Sequence, residues 1–340
     1  MTVTRRDLLA SAAALAVSRP VWPQRPLDRP LRVGHLTDLH VQPEMGAESG
    51  ARRAIAHLMG RDPKPDIVVT GGDLIMDAFA AREERAKAQW EIFNRLVREG
   101  IDVPVKHTLG NHDVWGWDQA KSKTTGQEPL WGKRWFLENF HYQATYQSFV
   151  MGGWKFVILD TVARTPDGYN GLIDEEQMDW FKGEVKTGLP TIVFSHIPLF
   201  APCTMIYRHD SKTGEWRVGG NLMTKNFNEV KKVLDSRKNV KLCVSGHIHL
   251  QDRYDYNGVT YLCAGAVSGA WWLGRHHDFM PAYTVIDLWP DGRWRHEYVE
   301  WGWEPQTTSA RALDDDQKPA HQSSSANASR SSASKYLSYR

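Results

Sequence analysis

Seven side chains of metal-ligating type stand in five short motifs of this 340-residue sequence. Asp38 and His40 lie in Thr37-Asp38-Leu39-His40, and Asp73 ends Gly71-Gly72-Asp73. Asn111 opens Asn111-His112-Asp113 after Gly110, and His196 lies in Ser195-His196-Ile197-Pro198. His247 and His249 lie in Gly246-His247-Ile248-His249. Asp38 and His40 are two apart, so extended backbone turns both to one side, and His247 and His249 repeat that spacing. Glycines beside Asp73, Asn111 and His247 permit tight turns and close backbone approach. The pooled set, two Asp, one Asn and four His, mixes nitrogen and oxygen donors. Such a set suits first-row transition ions better than calcium or magnesium. Seven donors exceed what one catalytic ion with an open position uses. Two ions sharing a bridging carboxylate would use them all.

These motifs need elements to position them. Apolar strand-like runs recur at Leu31–Leu36, Asp66–Thr70, Val103–Leu109, Lys155–Asp160, Thr191–Ser195, Val240–Ser245, Val259–Ala264 and Tyr283–Leu288. Helical periodicity fills Ser49–Met59, Phe79–Glu99, Asp174–Thr187 and Asn226–Ser236, with Asp174 as an N-cap. Strand–helix alternation of this kind predicts a layered α/β fold, and no fixed repeat is visible. Each motif directly follows an apolar run, which is where ligands of open α/β sheets bind. Any one motif alone is an ordinary turn. All five, in this order and each at a strand end, point to one site.

That order resembles the calcineurin-like metallophosphoesterases over about residues 31–265. The resemblance implies an αββα sandwich of four layers, with two central mixed β-sheets and a two-metal site above the strand ends. It implies that Asp38, His40 and His249 hold one ion, that Asn111, His196 and His247 hold the other, and that Asp73 bridges them. His112 would face the leaving group as a proton donor, with Asp113 orienting its ring. The implied reaction is hydrolysis of a small phosphodiester or phosphomonoester, nucleotide-like substrates included, by a hydroxide bridging two ions. Manganese, iron or zinc are the expected metals. Purple acid phosphatases carry a metal-bound Tyr shortly after the Gly-Asp motif. Here Asp73-Leu74-Ile75-Met76-Asp77 has none, which argues against that branch.

Composition bounds the reading without deciding it. Apolar residues make up 41% and charged residues 24%, an ordinary globular balance. The net charge of +2 and the lack of a basic stripe predict no nucleic-acid partner, which weighs against a nuclease. A metal-binding scaffold without turnover is the other alternative, and retention of every ligand and of His112 weighs against it. Cys203, Cys243 and Cys263 give an odd count without CxxC spacing, so buried thiols are expected, with a Cys243–Cys263 bridge left open.

The ends read as non-catalytic. Thr4-Arg5-Arg6-Asp7-Leu8-Leu9 before an Ala-rich stretch is a twin-arginine export pattern over residues 1–18, too short for a stable membrane span. It implies the twin-arginine machinery as a partner and a periplasmic or secreted location. Residues 19–30 read as a Pro/Arg linker, 31–304 as the catalytic domain and 305–340 as a disordered Ser-rich tail. Three segments could rim a pocket. The first is Val114–Phe136, with Trp115, Trp117, Trp131, Trp135, Lys121, Lys123, Lys133 and Arg134. The second is Leu199–Asn221, with Tyr207, Arg208 and His209. The third is Val267–Asp278, with Trp271, Trp272, Arg275, His276 and His277. Aromatics beside cations suit a nucleotide or glycosylated phosphate, although tryptophans also pack long insertions.

Overall fold

A computed structural model describes residues 29–206 and 208–305. The expected export signal, nearly all of the linker, the tail beyond 305 and Tyr207 lie outside the described residues. In chain order the strands are β1 (Leu31–Leu36), β2 (Ile67–Thr70), β3 (Val105–His107), β4 (Gln147–Met151), β5 (Trp154–Ile158), β6 (Val162–Thr165), β7 (Gly168–Gly171) and β8 (Thr191–Phe194). There follow β9 (His209–Asp210), β10 (Glu215–Trp216), β11 (Val240–Ser245), β12 (Asp252–Tyr256), β13 (Val259–Cys263), β14 (Ala282–Leu288) and β15 (Trp294–Glu300). The helices are α1 (Ala47–Met59), α2 (Glu83–Gly100), α3 (Gln119–Ser122), α4 (Arg134–Phe140), α5 (Glu175–Glu184) and α6 (Phe227–Asp235).

Two large sheets form, ordered β15-β14-β1-β2-β3 and β12-β13-β11-β8-β5-β4. Strand periodicity explains why they stack. In β2, Val68 faces one apolar cluster while Ile67 and Val69 face another. In β8, Ile192 and Phe194 join that second cluster, and Val193 points to a third. The second cluster is thus the seam between the sheets, packed from both sides by alternate residues. The first lies under α1 and α2, which contribute Ala51, Ile55, Leu58, Phe93 and Leu96. The third lies under α5 and α6, which contribute Phe181, Val230 and Leu234. This is the αββα sandwich of four layers with mixed sheets. Residues buried on both faces read as unbroken apolar runs, and for that reason the central strands are legible in the sequence.

Strands β1, β2 and β3 run parallel, as do β5, β8, β11 and β13. Edge strands β4, β12 and β15 pair antiparallel. The sequence of β12, Asp252-Arg253-Tyr254-Asp255-Tyr256, is polar and largely exposed and carries no apolar run. Helix α2 starts at Glu83 rather than Phe79, because Phe79 packs instead against Trp117 and Tyr169. Asp174 caps α5, its side chain accepting from Gln177 N at 2.8 Å. All three cysteines are free and buried. Cys243 faces the α5/α6 cluster and Cys263 a separate small cluster with Cys203.

A buried ion pair fixes the first sheet at the amino end of β1. Arg32 Nε and Nη2 donate to Asp287 Oδ1 and Oδ2 of β14 at 2.7 and 3.0 Å. Burial raises the Asp287 carboxyl, but bonds from Arg32 and Arg295 outweigh it and hold the group below its usual range. Asp287→Ala leaves Arg32 buried without its partner. The expected loss is about 3–5 kcal/mol in urea unfolding, with metal content unchanged. An unchanged unfolding midpoint would contradict this. The wild-type contribution is complete above about pH 3.9, the unfolded carboxylate value, and is lost as pH falls through the lower folded one.

Candidate metal centre

The carboxyl ends of β1, β2, β3, β8 and β11 open on one side of the sandwich, and the five motifs follow them there. Backbone bonds lock the loops together: Asp38 N donates to Gly72 O at 3.0 Å and His40 N to Asp73 O at 3.0 Å. Close approach explains the glycines. A Cβ on Gly110 would lie 2.0 Å from Asp73 N, and one on Gly246 would lie 2.4 Å from Asp38 Oδ2. Asp38, His40, Asp73, His247 and His249 all adopt left-handed backbone, with φ between 44° and 72°. Non-glycine residues rarely do so, and such strain gathers at functional sites.

All seven expected ligands are brought together. Asp38, His40 and His249 form one group of closely spaced donor atoms, and Asp73, His196 and His247 another. Asn111 Oδ1 joins the second, 3.1 Å from His196 Nε2. One oxygen spans the two groups. Asp73 Oδ2 lies 3.1 Å from His196 Nε2 and 3.7 Å from His40 Nε2.

The donor chemistry fits cations. His196 Nδ1 donates to Gly71 O at 2.8 Å, His247 Nε2 to Asn221 O at 2.8 Å and His249 Nδ1 to Gly269 O at 2.6 Å. Each bond places the proton on the outer nitrogen, as second partners of metal-binding histidines do. The inner nitrogens point at one another, with His40 Nε2 and His249 Nε2 3.1 Å apart and His247 Nδ1 and His196 Nε2 3.2 Å apart. Burial would lower His196, but Asp73 outweighs it and brings the group to about 9, so without a cation its inner nitrogen holds a proton in the place of one. Facing lone pairs beside carboxylates repel unless positive charge lies between them. Burial lowers His40 far below its usual value and takes His247 to about 3, so both stay neutral. Burial favours protonated Asp73, but His196 and His112 hold its carboxyl well below the ordinary range.

His112 lies beside both groups and makes a third set of closely spaced donor atoms with His40 and Asp73. Its Nε2 lies 4.0 Å from Asp73 Oδ2, and its backbone N donates to Asp73 Oδ1 at 2.8 Å. Burial would lower its pKa, but Asp73 and Asp77 outweigh burial and bring it to about 9. Asp113 corrects the sequence reading. Its Oδ1 accepts from Leu74 N and its Oδ2 from Gly110 N, both at 2.8 Å, so it ties two motif loops together rather than orienting the ring. The carboxylate facing the ring is Asp77, with Oδ1 3.8 Å from His112 Nδ1. Gln89 of α2 holds Asp77 through its backbone, accepting from Asp77 N at 2.9 Å and donating to Asp77 O at 3.0 Å. Asp77→Asn should lower turnover about 10- to 100-fold, the range for losing a carboxylate behind a functional imidazole, with metal content unchanged. Equal turnover in metal-matched samples would return Asp77 to a loop role.

The rim segments divide. Trp115 and Trp135 are buried in the α1/α2 cluster, and Lys133 is engaged by Asp160 at 2.5 Å. Tyr169 of β7 stands edge-on to His247, with ring centroids 6.1 Å apart, and continues through Phe79 to Trp117 as an aromatic wall. Neither Tyr169 nor Phe79 stood out in the sequence, because their role depends on a hairpin and a loop meeting. On the opposite side Trp271 lies against His249 and His40. His276 is beside that ring, outside both ligand groups.

The calcineurin-like phosphoesterase family model matches residues 31–251, a span that contains every ligand described above. The chain belongs to the calcineurin-like phosphoesterase family. This phosphoesterase is therefore a metal-dependent hydrolase of phosphoric esters. It is 26% identical over 282 residues to a 3',5'-cyclic-nucleotide phosphodiesterase of Nostoc sp., covering 78% of this chain and 90% of the relative. Its fold is shared with a dimetal phosphatase from Danio rerio, at TM-score 0.58 and 17% identity over 80% of this chain and 98% of that one. It is also shared with the purple acid phosphatase PPD1 of yellow lupin, at TM-score 0.53 and 16% identity, over 86% of this chain and 54% of that one. Among the described residues, no helix is long and apolar enough to cross a membrane.

Proposed function

We propose that this phosphoesterase uses two transition-metal ions to hydrolyse a small phosphodiester or monoester, nucleotide-like esters among them. The carrying observation is the single carboxylate oxygen of Asp73 placed between two sets of inward-facing histidine nitrogens. Asp38, His40 and His249 would hold one ion, Asn111, His196 and His247 the other, and Asp73 both. Manganese, iron or zinc suit this donor set. Bound cations supply Lewis acidity toward phosphoryl oxygen and a water acidic enough to attack phosphorus. The chain's own residues do the rest. His112, with Asp77 at Nδ1, keeps a proton on Nε2 for the departing oxygen. The aromatic wall of Tyr169, Phe79 and Trp117 gives a planar leaving group a surface to pack on. The Nostoc relative's cyclic-nucleotide activity supports a diester substrate.

Metal-analysed protein should hydrolyse bis-p-nitrophenyl phosphate, with p-nitrophenyl phosphate as the monoester control. Two ions bound without turnover of either ester would make the chain a metal-binding scaffold. The Arg5-Arg6 pattern supports twin-arginine export to the periplasm or medium. Replacing both by Lys should abolish export in a fractionation assay, and unchanged export would remove that assignment.

A further inference from the structure

We propose that Trp271 contacts the substrate, its indole N–H donating to an oxygen of the bound phosphate ester. This rests on the phosphoesterase reading above and extends it to a residue that holds no metal.

The loop after β13 is built around the metal centre. Val267 N donates to Thr37 O at 3.0 Å and Ser268 N to Asp38 O at 3.2 Å. Gly269 O receives the His249 Nδ1 proton at 2.6 Å. Gly269 has no room for a side chain, since a Cβ would lie 2.2 Å from Gly274 O. Two consecutive tryptophans follow, both left-handed, with φ 49° at Trp271 and 74° at Trp272. Aromatic residues seldom adopt that region, at about 1–3 kcal/mol each.

The two tryptophans differ in what offsets this cost. Trp272 is 0% exposed and belongs to the α1/α2 cluster. Its ring packs on Trp301 and Trp303 and fills the space over Gly50, and its Nε1 donates to His40 O at 3.0 Å. Trp271 is 8% exposed yet belongs to no apolar cluster. Its ring lies 4.5 Å from that of His249 at 33°, and 5.9 Å from that of His40. Its Nε1 is buried and meets no acceptor among the described residues. A buried donor without a partner costs about 1–3 kcal/mol, and buried tryptophans normally find one. Phenylalanine would keep an aromatic face against His249 with no N–H to satisfy, at some loss of packing. A ring held beside two ligands, on strained backbone, carries a donor that lacks an acceptor, and phosphoryl oxygens are acceptors that carry charge. A small turn of the indole on substrate entry would satisfy the N–H and return the cost as binding.

The test uses the full chain loaded with zinc. Trp271→Phe keeps the ring and removes the N–H. Expected are unchanged metal content and a ligand-free Tm close to wild type, since loss of the unpaired N–H offsets the packing lost with the smaller ring. Affinity for inorganic phosphate, read by thermal shift, should fall about tenfold or more, the worth of a hydrogen bond to a charged group, with KM rising in parallel. In wild-type protein with 15N-labelled indoles, one indole resonance should move when inorganic phosphate is added, whatever the stability of the variant. Wild-type phosphate affinity and KM in Trp271→Phe, or no moving indole at phosphate saturation, would overturn the inference alone. Metal loss matching the activity loss would also overturn it, leaving Trp271 as a buttress for His249. A wild-type chain that neither turns over an ester nor binds phosphate would sink the phosphoesterase reading and this inference together.

Discussion

His112→Ala should lower turnover by about 10²–10⁴-fold, the usual worth of a general acid, while both metal sites fill normally. The separation of these effects follows from placement. His112 Nε2 stands 4.0 Å from the shared oxygen of Asp73, whereas His196 Nε2 stands 3.1 Å from it. The backbone N–H that His112 gives to Asp73 Oδ1 survives removal of the ring, so the bridging carboxylate keeps its support. The loss should be steepest for esters with poor leaving groups. A nitrophenolate leaves readily without a proton, whereas an alkoxide does not. Comparing kcat on an aryl and an alkyl ester, in samples matched for metal, separates proton donation from distorted binding. Equal loss on both esters would show that His112 positions phosphate rather than protonating the leaving oxygen.

The sequence makes the ligands legible because all but Asn111 stand at the end of a strand buried on both faces. Such strands read as apolar runs, and parallel packing carries their ends to one side. Leu31–Leu36 before Asp38 and Val240–Ser245 before His247 are of this kind. What surrounds the ligands is less legible, because it depends on loops meeting across the sandwich. Asp113 and Asp77 show the difference. Both are carboxylates near His112, and adjacency in sequence favours Asp113. The turn after Gly110 instead spends both Asp113 oxygens on backbone N–H groups, and Gln89, from a helix in the outer layer, brings Asp77 to the ring. The paired tryptophans pose the same problem. Nothing in Trp271-Trp272 says that one ring enters the core and the other faces two ligand imidazoles, since that follows from two left-handed residues in succession.

Asp73→Asn carries the largest expected effect of all, because it removes negative charge where both ion positions need it. The amide matches the carboxylate in shape and can still accept from His112 N, so the loops should close as before. It cannot supply an anionic oxygen to both donor groups, and its NH₂ would crowd the lone pairs of His40 and His196. At least one ion should be lost on dialysis, with turnover at background and a deeper loss than in His112→Ala. Stability gives a readout free of activity. Ions present at 100-fold their Kd stabilise the folded wild type by about 2.7 kcal/mol per site, an increment that a chelator removes. The variant should lack most of that increment. Its chelated form should be less stable than chelated wild type at neutral pH, because against the cost of burial the Asp73 carboxylate is held below its ordinary range by His196 and His112, which lose that counter-charge in the variant. Two ions retained by Asp73→Asn with wild-type affinity would mean that the carboxylate at 73 does not join the pair, and the two-ion assignment would have to be redrawn around Asp38 alone.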